Sequence, residues 1–316
     1  MLRLKAFFLN CCVSENKEPD TTVLRKYTTD NEATRTKNIT SAISQTYSTR
    51  NANGKLTKSI KFSLEDIISA PVLTLTVIDG KTFLAGTEIV INAGGLAKGG
   101  RGKKDGITYF GSQKYKISTK NSQQKLMNDV LLNDETVGMR HSMLKYNPMT
   151  RKYALKDLGD GSGTFIKVEN KIKIKSGYIM SFSDSHVLLS ISEGINEKSL
   201  PDLEKAPKDA LTLKFLDGPK LGKKYNFLKE NNVVKVGRMN DCAVKFEGNS
   251  LSRYQCAFEY IDNAWYLSDG WEEKPSTNGT WLFLEEFCEI KESAIIKIGQ
   301  TLFRASLRDQ ITEKFF

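Results

Sequence analysis

The reading starts from Val236-Gly237-Arg238, Leu251-Ser252-Arg253-Tyr254-Gln255 and Ser276-Thr277-Asn278-Gly279-Thr280-Trp281, which follow one another within 316 residues of chain. Each piece is common by itself. In this order they place an arginine, a serine and a Thr-Asn-Gly turn on successive loops between strand-like runs. That combination makes an anion-binding surface with one fork of permanent charge.

The runs around these loops are short and strand-like. Leu211-Thr212-Leu213-Lys214-Phe215 alternates with period two, and Val233-Val234, Ala257-Phe258-Glu259-Tyr260, Trp265-Tyr266-Leu267, Ala294-Ile295-Ile296 and Thr301-Leu302-Phe303 follow with turn residues between them. An earlier series has the same character. It begins at Leu73-Thr74-Leu75-Thr76-Val77 and runs through Met143-Leu144-Lys145-Tyr146, Tyr153-Ala154-Leu155 and Thr164-Phe165-Ile166 to Val187-Leu188-Leu189. Many short strands at this spacing predict antiparallel β-sandwiches. Trp265, Trp281 and Phe303 are expected core residues.

The trio resembles the forkhead-associated (FHA) domain, from about Leu211 to Ser306. The resemblance implies a module that reads phosphothreonine peptides. Arg238 would anchor the phosphate, and Ser252 and Thr277 would add hydroxyl contacts. Asn278 would hold the peptide backbone, and Arg253 would line the groove. Gly237 and Gly279 would let the loops approach closely, and Gln255 would support the site from behind, at a position where the family usually has His. The stretch from Asp269 to Ser276 is longer than in most members and inserts Trp271, Glu272 and Glu273.

The earlier series reads as a second, degenerate copy. Phe110-Gly111-Ser112 stands opposite Val236-Gly237-Arg238, and Val137-Gly138-Met139-Arg140-His141 opposite Leu251-Ser252-Arg253-Tyr254-Gln255. Asp157-Leu158-Gly159-Asp160-Gly161-Ser162-Gly163-Thr164 stands opposite Asp269-Gly270 and the Thr-Asn-Gly turn. Ser112, Gly138 and Ser162 thus replace the arginine, serine and asparagine. The expected fold is all-β: two FHA-type antiparallel β-sandwiches in tandem behind a polar, poorly structured arm. The expected boundaries are an arm over 1–70, sandwiches over 71–200 and 209–310, a linker over 201–208 and a tail over 311–316.

Charge bears on partners. The net charge is +10, from 47 Lys and Arg against 37 Asp and Glu. Residues 71–200 hold 19 basic against 12 acidic residues, whereas 201–316 hold 17 against 18. The excess lies outside the motif-bearing copy, which is compatible with a solvated surface or with docking to an acidic protein. The segment Gly94-Gly95-Leu96-Ala97-Lys98-Gly99-Gly100-Arg101-Gly102 has the glycine spacing of a phosphate loop, but Arg101 and Gly102 stand where Lys and Ser or Thr are required. It reads as a flexible basic loop. Nucleic acid is disfavoured, because aromatic residues are not interleaved with these charges.

The five cysteines, Cys11, Cys12, Cys242, Cys256 and Cys288, show no metal-ligand spacing and suit a reducing compartment. With two histidines, His141 and His186, no catalytic or metal site is expected, and no cofactor. No run is long enough to span a membrane. The basic start, up to Val13, reads as a presequence, an interfacial helix acylated at Cys11 or Cys12, or a helix packed on the fold. The Thr-rich arm offers Thr29, near Glu32, as an internal phosphothreonine ligand. The functional expectation is a non-enzymatic intracellular adaptor, in the cytoplasm (cytoskeleton or cilium included) or nucleus. It would recognise phosphothreonine proteins through the second copy and dock through the first. The alternative is a structural subunit of a large assembly, of cytoskeletal or axonemal type, that uses both folds without phosphate.

Overall fold

The computed structural model describes residues 46–50, 56–60, 62–117, 124–192, 207–249 and 251–309. The readings made on Cys11, Cys12 and Thr29, and most of the linker and tail, lie outside them. Among the described residues, the regular secondary structure is almost wholly strand. Those of the first series are Val72–Asp79 (β1), Glu88–Asn92 (β2), Ile107–Gly111 (β3), Ser142–Asn147 (β4), Lys152–Asp157 (β5), Thr164–Lys167 (β6), Ile172–Lys173 (β7), Ile179–Phe182 (β8) and Ser185–Ile191 (β9). Those of the second are Leu211–Phe215 (β10), Lys224–Phe227 (β11), Val233–Gly237 (β12), Tyr254–Ile261 (β13), Ala264–Asp269 (β14), Trp281–Phe283 (β15), Cys288–Glu289 (β16), Ile295–Ile298 (β17) and Thr301–Arg308 (β18). Alternation sets their faces: in β1, Leu73, Leu75 and Val77 point inward while Thr74 and Thr76 are half-exposed.

Within the stretch assigned to the arm, a few short pieces have regular structure. Thr46–Arg50 pairs antiparallel with Leu56–Ile60. Leu64–Ser69 is a short helix whose start is fixed by a capping box between Ser63 and Asp66. Phe62, just before it, is buried against Tyr146 with ring centroids 5.7 Å apart. The sandwich framework therefore begins near residue 62. A capping box and one anchoring aromatic order the segment despite its polar composition.

The two sandwiches exchange their C-terminal strands. Eleven strands form one continuous sheet in the order β11-β10-β9-β8-β15-β6-β17-β18-β1-β2, ending on the short strand Gly95–Leu96. Two five-stranded sheets cover it. One is β16-β5-β4-β3 with Val130–Leu131, and the other is β7-β14-β13-β12 with Val244–Lys245. Hence β1 of the first series pairs with β18 of the second, and β9 pairs with β10. The cores are mixed in the same way. In lobe one, Leu73, Phe110, Leu144 and Tyr153 pack with Leu284, Ile290, Ile296, Ile298 and Phe303. In lobe two, Leu211, Phe215, Val236, Phe258 and Trp265 pack with Val168, Ile174, Met180, Phe182, Val187 and Leu189.

The crossing occurs at two adjacent antiparallel strands, β6 and β15, paired as Phe165 with Phe283, Ile166 with Leu282 and Lys167 with Trp281. Ile166 still packs on core one, and Val168 is already in core two. Leu282 packs on core two, and Leu284 lies in core one. A boundary at residues 201–208 thus separates the two strand series but not the two cores. The strands β9 and β18 share one alternating pattern of buried residues, so periodicity fails to tell which sandwich each hairpin fills.

Each exchanged hairpin is tied to its host lobe. The β17–β18 turn rests on Asp134 and Thr136: the Gln300 amide donates to Asp134 Oδ2 at 2.7 Å, and a Cβ at Gly299 would lie 2.5 Å from Val137. The β8–β9 hairpin is held by Asp217, which bonds His186 Nδ1 at 2.7 Å. Burial works to raise the Asp134 carboxyl, but hydrogen bonds from Thr136 and Gln300 outweigh it and hold the group below the usual carboxylate range. A depressed folded-state pKa supplies stability that is present above the ordinary value and is lost as pH falls through the lowered one. Asp134→Asn is accordingly expected to lower stability by about 2 kcal/mol near neutral pH, since it turns a charged acceptor into an amide facing the Gln300 N–H. It should also flatten the acid-side loss of stability. Thermal melts from about pH 7 down to about pH 3 on both proteins check this.

Candidate functional site

The three motif loops come together at one end of lobe two. They line an open pocket of about 330 Å³ that includes Arg238, Asn249, Ser252, Arg253, Tyr254 and Thr277. Arg238 leaves the end of β12, where its backbone N–H bonds the Arg253 carbonyl at 3.1 Å. Its guanidinium is exposed and donates to Asn249 Oδ1 at 3.3 Å. Gly237 is required by close approach, since a Cβ there would lie 2.3 Å from the Arg253 carbonyl oxygen.

Ser252 and Thr277 are bound to each other across the pocket. The Thr277 amide donates to Ser252 Oγ at 2.8 Å, and Ser252 Oγ donates to Thr277 Oγ1 at 3.2 Å. Asn278 is exposed beside them, and its carbonyl accepts from Trp281 Nε1 at 3.1 Å. Gly279 adopts φ +76°, which lets the turn reverse before β15. The structure therefore brings Arg238, Ser252, Arg253 and Thr277 to one pocket, with Asn278 at its edge.

Behind the loops lies a buried polar network. Gln255 is 1% exposed, and its amide nitrogen donates to Ser276 Oγ at 2.9 Å and to the Gly279 carbonyl at 3.1 Å. Asp269 accepts from Ser276 Oγ at 2.6 Å and from Thr280 Oγ1 at 2.7 Å. Gln255 thus spans from β13 to the Thr-Asn-Gly turn with one side chain. Sequence reasoning singled out Gln255 but missed Asp269, Ser276 and Thr280. The available signal was the aspartate repeated at the ends of β5 and β14, Asp157 and Asp269.

The inserted segment folds as a tight hairpin turn on the pocket's flank. Trp271 and Lys274 exchange two backbone hydrogen bonds of 3.1 Å, and Glu272 and Glu273 between them hold φ values of +51° and +61°. Gly270 before them has φ +73°, and a Cβ there would lie 1.8 Å from the Lys274 carbonyl oxygen. Lys235 lies 5.2 Å from the Trp271 ring centroid and bonds Asp241 at 2.6 Å. The hydrogen bond from Lys235 holds the Asp241 carboxyl below the usual range. Two adjacent left-handed glutamates are strained, because this turn favours Asn-Gly. Replacing them, as E272N/E273G, is expected to raise stability by about 1–2 kcal/mol, read from chemical denaturation at unchanged m-value.

The matching place in lobe one is arranged differently. Ser112 turns its hydroxyl onto the Gly138 carbonyl at 3.1 Å. A Cβ at Gly138 would lie 2.2 Å from the carboxyl carbon of Asp160, so no serine fits there. His141, opposite Gln255 in the sequence comparison, is fully buried; its Nδ1 accepts from the Gly138 amide and its Nε2 bonds the Gly163 carbonyl, each at 3.1 Å. Burial pushes the neighbouring Asp157 carboxyl up, against the opposing pull of His141. The glycine-rich segment is not a free basic loop. The side chain of Arg101 is 7% exposed and bonds Asp129, Asp105 and the Ile107 carbonyl. Arg140 stacks 3.8 Å from the Tyr109 ring centroid.

Among the described residues, no helix is long and apolar enough to cross a membrane, and Cys242, Cys256 and Cys288 are free thiols. The family model of the FHA domain matches residues 234–300. The match runs from within β12 to the β17–β18 turn and so crosses from lobe two into lobe one. No curated protein matches the chain. The loops of the pocket and the match over the same residues together assign residues 234–300 to the FHA domain family.

Proposed function

We propose that this protein is a non-enzymatic intracellular adaptor that recognises phosphothreonine-containing protein segments at the lobe-two pocket. The observation that carries the reading is the convergence of Arg238, Ser252 and Thr277 on one open pocket within the FHA match. Arg238 grips the phosphate with its planar fork, and Ser252 and the Thr277 hydroxyl bond its remaining oxygens. Asn278 holds the peptide main chain, and Arg253 borders the groove. Lobe one is a degenerate counterpart. With Ser112 in place of the arginine and Asp160 filling the space beside Gly138, it lacks the fork and the serine of the lobe-two pocket.

A second role for the first strand series, docking to an acidic protein surface, is supported by the excess of basic residues over 71–200. The same excess favours, as the competing reading, a phosphate-independent subunit of a structural assembly. Titration of the full chain with phosphothreonine, phosphoserine and unphosphorylated versions of a peptide library separates them. Phosphate-dependent binding that requires Arg238 supports the adaptor. Partner binding indifferent to phosphate supports the structural subunit.

A further inference from the structure

Beside the phosphate pocket lies a larger cleft, of about 700 Å³, that exists because of the strand exchange. One wall is the segment after β6, residues 167–171 of the first series, and the other is the inserted hairpin of the second. Trp271, Glu272 and Pro275 line both the cleft and the phosphate pocket, so the two are continuous around the hairpin. The stem of Lys167 reaches the Thr-Asn-Gly turn, with its Cε 2.8 Å from where a Cβ on Gly279 would stand.

The two compartments differ in chemistry. Arg238, Arg253 and Lys274 make the phosphate pocket cationic against Glu272 alone. In the cleft, the apolar surfaces of Trp271 and Pro275 are joined by carboxylates. Two of those are already engaged: Glu259 with Lys171 at 2.8 Å, and Asp269 with Ser276 and Thr280. Glu169, Glu272 and Glu273 are exposed and form no ion pair among the described residues, and they outnumber the one unpaired cation, Lys167. An apolar trough rimmed by carboxylates suits a side chain with an aliphatic stem and a cationic head. We propose that the cleft is a second subsite of the same groove, which takes a lysine or arginine of the phosphothreonine peptide, so that the preferred ligand is bipolar. This rests on the phosphopeptide reading given above, and it makes the first strand series a contributor to ligand choice through Glu169.

The test uses the full chain and a set of fluorescent phosphothreonine peptides in which one lysine is walked through the flanking positions, each paired with a glutamate version and an unphosphorylated control. At one or two positions the lysine peptide is expected to bind about five- to tenfold more tightly than its glutamate partner, as several exposed ion pairs would give. The double variant E169Q/E273G should bring the pair within about twofold while binding still requires phosphate. It replaces one left-handed glutamate by glycine and one exposed loop carboxylate by an amide, so unfolding does not compete as an explanation. Equal affinities of the lysine and glutamate peptides, or a preference that survives in E169Q/E273G, overturn the second subsite and leave the phosphopeptide reading standing. Absence of phosphate-dependent binding by every peptide overturns that reading, and the subsite with it.

Discussion

Expressed alone, residues 209–316 are expected to lack a cooperatively folded sandwich, although they contain the whole FHA match. The fragment loses Val168, Ile174, Met180, Phe182, Val187 and Leu189 from the core of lobe two. At about 1.5–3 kcal/mol for each buried apolar side chain, the loss is on the order of 10 kcal/mol, comparable with the whole stability of a domain. To close the sandwich, β17 and β18 would have to fold back into the place of β8 and β9. Their inward residues Ile296, Ile298, Phe303 and Ala305 would then replace Met180, Phe182, Val187 and Leu189. That changes volume at each position, and cores that must accept altered shapes lose about 1–3 kcal/mol per misfit. Thermal melting by circular dichroism should show no sharp transition for the fragment, and co-expression with residues 62–208 should restore one. A monomeric fragment that melts as sharply as the full chain would show that the exchange is dispensable.

The second large effect is on binding. Arg238→Ala is expected to weaken phosphothreonine-peptide affinity by about 30- to 100-fold, the loss of a charge-assisted bidentate contact worth about 2–3 kcal/mol. Arg238 is exposed and, among the described residues, its guanidinium has one weak side-chain partner, Asn249 at 3.3 Å, so the melting temperature should not move. Arg238→Lys should recover only part of the affinity, because an ammonium supplies charge without the planar fork. Isothermal titration of the three proteins against one phosphopeptide measures this directly. Equal affinities for wild type and Arg238→Ala would remove the arginine, and with it the phosphate reading, from the pocket.

Much of the site was legible from residue order. Arg238, Ser252 and Thr277 lie on separate loops and meet because each loop ends or begins a strand whose period-two pattern is plain in the sequence. Gln255 was legible as a support because it stands where the resembled family usually has His, and its burial and the bonds to Ser276 and Gly279 give that support a geometry. Asp269 was not picked out. A carboxylate before a glycine looks like an ordinary turn residue, and only the approach of β14 to the Thr-Asn-Gly turn makes it an acceptor for two hydroxyls. Arg101 was misplaced for the opposite reason. A basic residue among glycines looks solvated, whereas Asp105 and Asp129 fold over it and bury it. Glu272 and Glu273, which as plain charges beside a phosphate site would repel its ligand, instead form the strained turn that divides the pocket from the cleft.

Sequence alone determined the strand content, the two series of strands and the loops that meet at the lobe-two pocket, since these follow from local alternation and from turn chemistry. Only the tertiary structure decided which strands close which sandwich. Inward-facing Val, Ile, Leu, Met and Phe satisfy either core by pattern, and the choice rests on how their volumes fit the opposing sheet and on the pairing of β6 with β15. The cleft shared by the two strand series follows from that choice, and no local signal in either series announces it.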